Sequence, residues 1–90
     1  MLDKEMVAVF HGRVQGVGFR AAIQSQAARL GLKGFVSNLA NGTVELHAQG
    51  SQEKLDQLLQ MIKKRFHIEH VEVSFRPISK PLEDFKILRP

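Results

Sequence analysis

Lys33-Gly34-Phe35-Val36-Ser37-Asn38-Leu39 and Thr43-Val44-Glu45-Leu46-His47-Ala48-Gln49, joined across Asn41-Gly42, form the stretch whose reading decides the fold. The second run alternates cleanly: Val44, Leu46 and Ala48 face one side, Glu45, His47 and Gln49 the other. Asn-Gly between two such runs is a strong hairpin signal. A hairpin with one apolar face needs a partner to cover it. The chain supplies a helical pattern on each side. Upstream, Phe19, Ile23, Ala27 and Leu30 fall at four-, four- and three-residue steps, beside Ala22 and Gln26. Gly31 follows where a left-handed C-cap favours glycine. Downstream, Ser51 suits an N-cap and Glu53 the first turn. Leu55, Leu58, Leu59, Ile62 and Phe66 then make one apolar stripe.

Outside the helices lie further strands. Met6-Val7-Ala8-Val9-Phe10-His11 is short, partly β-branched and bounded by Gly12. Val71-Glu72-Val73-Ser74-Phe75-Arg76 alternates with Val71, Val73 and Phe75 inward. Pro77 ends that run, Pro81 lies in the next loop, and Phe85-Lys86-Ile87-Leu88 is a short last strand. The order is β-α-β-β-α-β plus a short strand. It predicts an α+β, ferredoxin-like split βαβ, an antiparallel sheet with two helices on one face. That fold hosts many functions and names none.

Ninety residues suit one domain over 1–90, and 43% hydrophobic with 24% charged residues is ordinary globular composition. Zero cysteines exclude disulfides, thiolate zinc sites, iron–sulfur clusters and cysteine nucleophiles. No apolar run is long enough for a membrane helix, and the charged start Leu2-Asp3-Lys4-Glu5 does not resemble a secretory leader. A soluble, cytoplasmic monomer is expected, with no membrane partner. Net charge +4 favours anionic partners without naming one. The basic run Lys63-Lys64-Arg65 falls in the last turn of the second helix, where it complements the dipole.

The informative segment is Gly12-Arg13-Val14-Gln15-Gly16-Val17-Gly18, between the first strand and the first helix. Glycines let successive amides point into one concavity, and a helix N-terminus adds unpaired amides and partial positive charge. The helix entry, Gly16-Val17-Gly18-Phe19-Arg20-Ala21, has no Ser, Thr, Asp or Asn to cap it. Arg20 puts a cation at the positive dipole end, at a cost of about a few tenths of a kcal/mol. Two local rules broken at one place point to function. A bound phosphate would satisfy the amides and neutralise Arg20. The pattern is neither a dinucleotide fingerprint nor a P-loop.

Gly12-Arg13-Val14-Gln15-Gly16-Val17-Gly18-Phe19-Arg20 closely resembles the signature of the acylphosphatase family. Gly34-Phe35-Val36-Ser37-Asn38-Leu39, followed by Asn41-Gly42-Thr43-Val44-Glu45, resembles its second segment, and Phe85-Lys86-Ile87 its closing strand. The resemblance runs from about Val7 to Leu88. It implies the ferredoxin-like fold and hydrolysis of acyl phosphates to a carboxylate and inorganic phosphate. It implies no metal, no cofactor and no phosphoenzyme. The partners it implies are a small acyl phosphate and inorganic phosphate, as product and inhibitor. It carries the phosphate-binding arginine onto Arg20 and the water-orienting asparagine onto Asn38. The main-chain amides of the cradle map to Gln15, Gly16, Val17, Gly18, Phe19 and Arg20. Phe35 stands where Trp or Tyr is common, Ser37 where a basic residue is frequent, and the last strand lacks its usual Tyr. These departures bear on packing and on the substrate tail.

The chemistry of these side chains fits those roles. Arg20 offers a planar donor fork for phosphate oxygens. The Asn38 amide both donates and accepts, so it can hold a water without being a strong base. Asn41 belongs to the turn. Among the histidines, His67 is expected to cap the second helix, His47 to face the open side of the sheet, and His11 to precede the cradle. His67 and His70 lack an obvious carboxylate partner for a metal. Ser25 lies in no nucleophile-elbow motif. The alternative reading is a non-catalytic anion- or RNA-binding module. RNA-binding relatives of this fold stack bases on sheet aromatics, and here strand one offers Phe10 alone. No nucleic-acid partner is expected. A third reading places such a domain in a larger hydrogenase-maturation protein, and the length favours the free-standing form.

Overall fold

The computed structural model describes residues 3–89. Five strands and two helices follow in order: β1 (Lys4–Gly12), α1 (Phe19–Arg29), β2 (Lys33–Asn38), β3 (Val44–Gly50), α2 (Gln52–Arg65), β4 (Ile68–Arg76) and β5 (Phe85–Leu88). The sheet order is β4-β1-β3-β2-β5. Four strands make the expected antiparallel sheet, and β5 pairs parallel with β2, so the whole sheet is mixed. The parallel pair arises because residues 77–84 carry the chain from the β4 edge to the opposite edge.

Several boundaries move for tertiary reasons. β1 begins at Lys4 because Lys4 and Glu5 pair with Gly50 and Gln49, which overrides their low strand propensity. β4 begins at Ile68, three residues before Val71, because β1 continues past a bulge at His11/Gly12 and offers Gly12 as its partner.

The apolar faces meet where the periodicities place them. Met6, Ala8, Phe10, Val36, Val44, Leu46 and Ala48 are fully buried beneath Phe19, Ile23 and Ala27 of α1 and Leu55, Leu58 and Ile62 of α2. Phe10 therefore lies in the core and is not open to stack a base. Phe19 makes edge-to-face contacts with Phe10 at 5.4 Å and Phe66 at 4.9 Å, which ties both helices to β1. Val71 and Val73 are half-buried and Phe75 is 43% exposed, because β4 is an edge strand. At Gly34, φ is 150° and a Cβ would collide with the His47 carbonyl, so only glycine lets β2 lie this close to β3.

Helix α2 starts as expected, with the Ser51 hydroxyl accepting from the Lys54 amide at 3.4 Å. Its end differs. The C-cap is Phe66, whose N–H bonds the Ile62 carbonyl, and His67 lies one residue beyond in an exposed position. Phe66 ends the helix because its ring is held against Phe19.

The open face of the sheet carries an ionic cluster. Glu5 is buried, and its carboxylate accepts from Arg76 Nε at 2.9 Å and Gln49 Nε2 at 2.7 Å, with His47 Nδ1 at 3.4 Å. Gln49, expected to be exposed, is buried because the 77–84 segment crosses it. Its Nε2 donates to the Lys80 carbonyl at 3.0 Å and its Oε1 accepts from the Leu82 amide at 2.9 Å. His47 does face this side, flat against the Phe35 ring at 4.4 Å.

Burial works to raise the Glu5 carboxyl, but the hydrogen bonds from Gln49, Arg76 and His47 outweigh it and hold the group below its ordinary value of about 4.5. A group depressed on folding adds stability above its unfolded value, and that contribution is lost as pH falls through the folded value. Urea midpoints measured between pH 7 and pH 3 should therefore fall in acid. The fall below about pH 4.5 is expected to be shallower in Glu5→Gln. Equal slopes in the two proteins would show that Glu5 does not contribute.

Candidate active site

β1 ends in its bulge, and residues 13–18 then turn back over the end of the sheet to reach α1. Val14 is the anchor of this loop: it is 1% exposed, and its amide bonds the Gly12 carbonyl at 3.0 Å. Gly16 and Gly18 have φ of 74° and 77°, and a Cβ on either would meet open space. They are needed for left-handed backbone rather than for room. Gly18 is the N-cap of α1, with no side-chain cap and no acidic residue in the first turn. The first backbone bond of the helix runs from the Ala22 amide to the Gly18 carbonyl at 3.0 Å. The amides from Gln15 to Ala21 thus have no backbone acceptor among the described residues. Free amides and a positive dipole end meet in one concave loop.

A cavity of about 210 Å³ opens here, lined by Val14, Gly16, Gly18, Phe19, Arg20, Ala21, Ile87 and Arg89. Arg20 belongs to the first turn of α1, and none of the described lining residues is acidic. Of the residues singled out in the sequence, Gly16, Gly18, Phe19 and Arg20 share this cavity, whereas Val17 is a half-exposed tip beside it.

Asn38 is not part of that lining; it ends β2 on the face covered by the helices, in register with Val44 and Phe10. Its Oδ1 is buried and has no hydrogen-bond partner among the described residues. A buried acceptor left with no partner at all costs about 1–3 kcal/mol. Gln15 ties the loop to the β2–β3 hairpin. Its Nε2 donates to the carbonyls of Leu39 at 3.0 Å and Thr43 at 2.9 Å, which fastens the loop to the hairpin beside Asn38.

Two of these contributions were not legible beforehand. The sequence marks Gln15 for its amide only, and no local signal shows a side chain reaching 28 residues onward. Arg89 belongs to no motif in the sequence, although the alternation Phe85, Ile87, Arg89 places it on the helix side.

Asn41 has its expected structural role, by a different device. Its φ is negative, and Gly42 alone takes the left-handed conformation, φ 91°. Asn41 Oδ1 accepts from the Thr43 amide at 3.1 Å and the Thr43 hydroxyl at 2.6 Å. The Gly42 amide closes the turn on the Leu39 carbonyl at 3.1 Å. His11 Nε2 lies 2.7 Å from the Glu72 carboxylate, with the His70 ring 5.3 Å away. Among the described residues no group of three His, Cys, Asp or Glu side chains is placed to hold a metal ion.

Residues 6–87 match the family model described as Acylphosphatase. The chain belongs to the acylphosphatase family. It is 45% identical over 64 residues to an acylphosphatase of Picrophilus torridus, covering 71% of this chain and 79% of that one. It is 45% identical over 67 residues to an acylphosphatase of Thermus thermophilus, covering 74% and 76% of the two chains. The crystal structure of the Bacillus subtilis acylphosphatase superposes with a TM-score of 0.89 at 30% identity, covering 94% of this chain and 98% of that one. The matched segment contains the cradle, Arg20, Asn38 and the parallel edge strand as far as Ile87. Arg89 lies two residues past its end.

Proposed function

We propose that this acylphosphatase-family chain hydrolyses acyl phosphates by holding the phosphate on Arg20 and on the amides from Gln15 to Arg20, while Asn38 holds the attacking water. The observation that carries this reading is a run of amides without backbone acceptors leading to Arg20, in a loop that lines a small cavity with no acidic residue among its described lining. Such donors are preorganised for negative charge and need no rearrangement as it develops. Phosphoryl transfer asks mainly for charge stabilisation and alignment.

The buried, unpaired Oδ1 of Asn38 suits a water proton, and the amide end is left to donate. The water oxygen attacks phosphorus and forms the new P–O bond. The bond from phosphorus to the acyl oxygen breaks, and its electron pair leaves with the carboxylate. The water proton passes to a phosphate oxygen, since none of the described residues lining the cavity is a carboxylate or imidazole base. A good leaving group makes a strong base unnecessary. Inorganic phosphate, as product, occupies the same cradle and inhibits.

Benzoyl phosphate hydrolysis in the presence of EDTA tests the reading. Turnover is expected, with competitive inhibition by inorganic phosphate. Folded protein without turnover would leave an anion-binding domain in place of an enzyme. Asn41→Ala separates the two asparagines: it should cost about 1 kcal/mol of stability through its lost turn bonds. Its kcat should stay within about threefold of wild type, because it holds the turn rather than the water. A large loss of kcat in folded Asn41→Ala would contradict the assignment of the water to Asn38.

A further inference from the structure

Two arginines, Arg20 and Arg89, line one cavity of about 210 Å³ whose other lining residues are Val14, Gly16, Gly18, Phe19, Ala21 and Ile87. Like charges repel, and repulsion across a small cleft is stronger than across bulk water. Among the described residues no acidic side chain lines the cavity, and none stands in the first turn of α1. The positive end of α1 adds to the same potential. One phosphate bound by the cradle and Arg20 would neutralise part of this field.

The sheet register explains how the second arginine reaches the site. β5 runs parallel to β2 with Val36 beside Ile87 and Ser37 beside Leu88. One residue further along each chain come Asn38 and Arg89. Phe85 is buried and Ile87 half-buried on the helix side, and alternation carries Arg89 to that side as well. Arg20 approaches from α1 and Arg89 from the sheet edge. Arg89 is itself exposed and follows directly on β5, the open edge strand of the sheet.

We infer that Arg89 is a specificity residue for a second negative charge, and that the preferred substrates are acyl phosphates whose acyl group itself carries a carboxylate or phosphate. This rests on the reading of the cradle and Arg20 given above. Arg20 and the amides take the reacting phosphate, and Arg89 takes the anion on the tail. A guanidinium reads either oxyanion through the same fork of donors. The cradle would then select the reacting group and the sheet edge the tail.

The test compares 4-carboxybenzoyl phosphate with its near-isostere 4-methylbenzoyl phosphate, and adds 3-phosphoglyceroyl phosphate to separate a phosphate tail from a carboxylate tail. Wild type is expected to favour one or both anionic tails by about tenfold in kcat/KM, as for one charge-assisted pair. The preference should shrink as salt rises. In Arg89→Gln the ratio of anionic to neutral substrate should collapse to near one. In Arg89→Glu it should invert, and 4-(trimethylammonio)benzoyl phosphate should become the better substrate. An inversion cannot come from a poorly folded protein. Turnover by wild type with no preference for either anionic tail would overturn the inference and leave the cradle intact. So would an equal loss on all substrates in Arg89→Gln, which would place Arg89 on the reacting phosphate. Absence of turnover on every acyl phosphate would instead overturn the activity reading, and the inference with it.

Discussion

Asn38→Ala is expected to lose about 100-fold or more in kcat on benzoyl phosphate, the scale seen when one positioned donor to a transition state is removed. KM and inhibition by inorganic phosphate should change little, because the phosphate is held by other groups. The stability of the variant distinguishes this role from a structural one. A buried polar side chain that is fully bonded costs stability when truncated. Asn38 Oδ1 has no partner among the described residues to lose. Urea unfolding of Asn38→Ala is therefore expected to stay close to wild type. A collapse of both activity and stability would mean that Asn38 holds the hairpin end rather than a water. The side chain on the same hairpin that does make turn bonds is Asn41, which is why the two variants should behave oppositely.

Arg20→Ala is expected to lose more, because it weakens ground-state binding and the transition state together. A fall of about 10³-fold in kcat/KM is the size expected for an arginine that stabilises a transferring phosphoryl group. The Ki for inorganic phosphate should rise in parallel, and the thermal stabilisation that phosphate gives wild type should largely disappear. In phosphate-free buffer the variant should be more stable by about a few tenths of a kcal/mol, since it no longer sets a cation at the positive end of α1. Gain of stability with loss of function is the signature of a residue placed for its ligand. Retained phosphate protection in Arg20→Ala would assign the anion to the amides alone.

Much of this was legible in the sequence because the relevant signals are local. The alternation of Val44, Leu46 and Ala48, the stripe from Leu55 to Ile62 and the Ser51 cap each report their own surroundings. The missing cap before Phe19 is also local, and it marks the same loop that the structure folds into a cavity. What could not be read depends on distant contacts. β5 runs parallel to β2 only because the chain crosses the open face, and that crossing buries Gln49 through bonds to Lys80 and Leu82. Phe66, rather than His67, ends α2 because Phe19 holds its ring. The Gln15 clamp joins two segments that share no pattern. The side on which Arg89 lies follows from alternation, but that it shares a cavity with Arg20 is seen only in the fold.

The role proposed for this site is to align a water on phosphorus. Hydrolysis of benzoyl phosphate in ¹⁸O-labelled water tests it most directly. Label is expected in the inorganic phosphate and not in the benzoate, because the bond that breaks lies between phosphorus and the acyl oxygen. Label in the benzoate would mean attack at the carbonyl carbon, and would contradict the roles given to Arg20, the loop amides and Asn38.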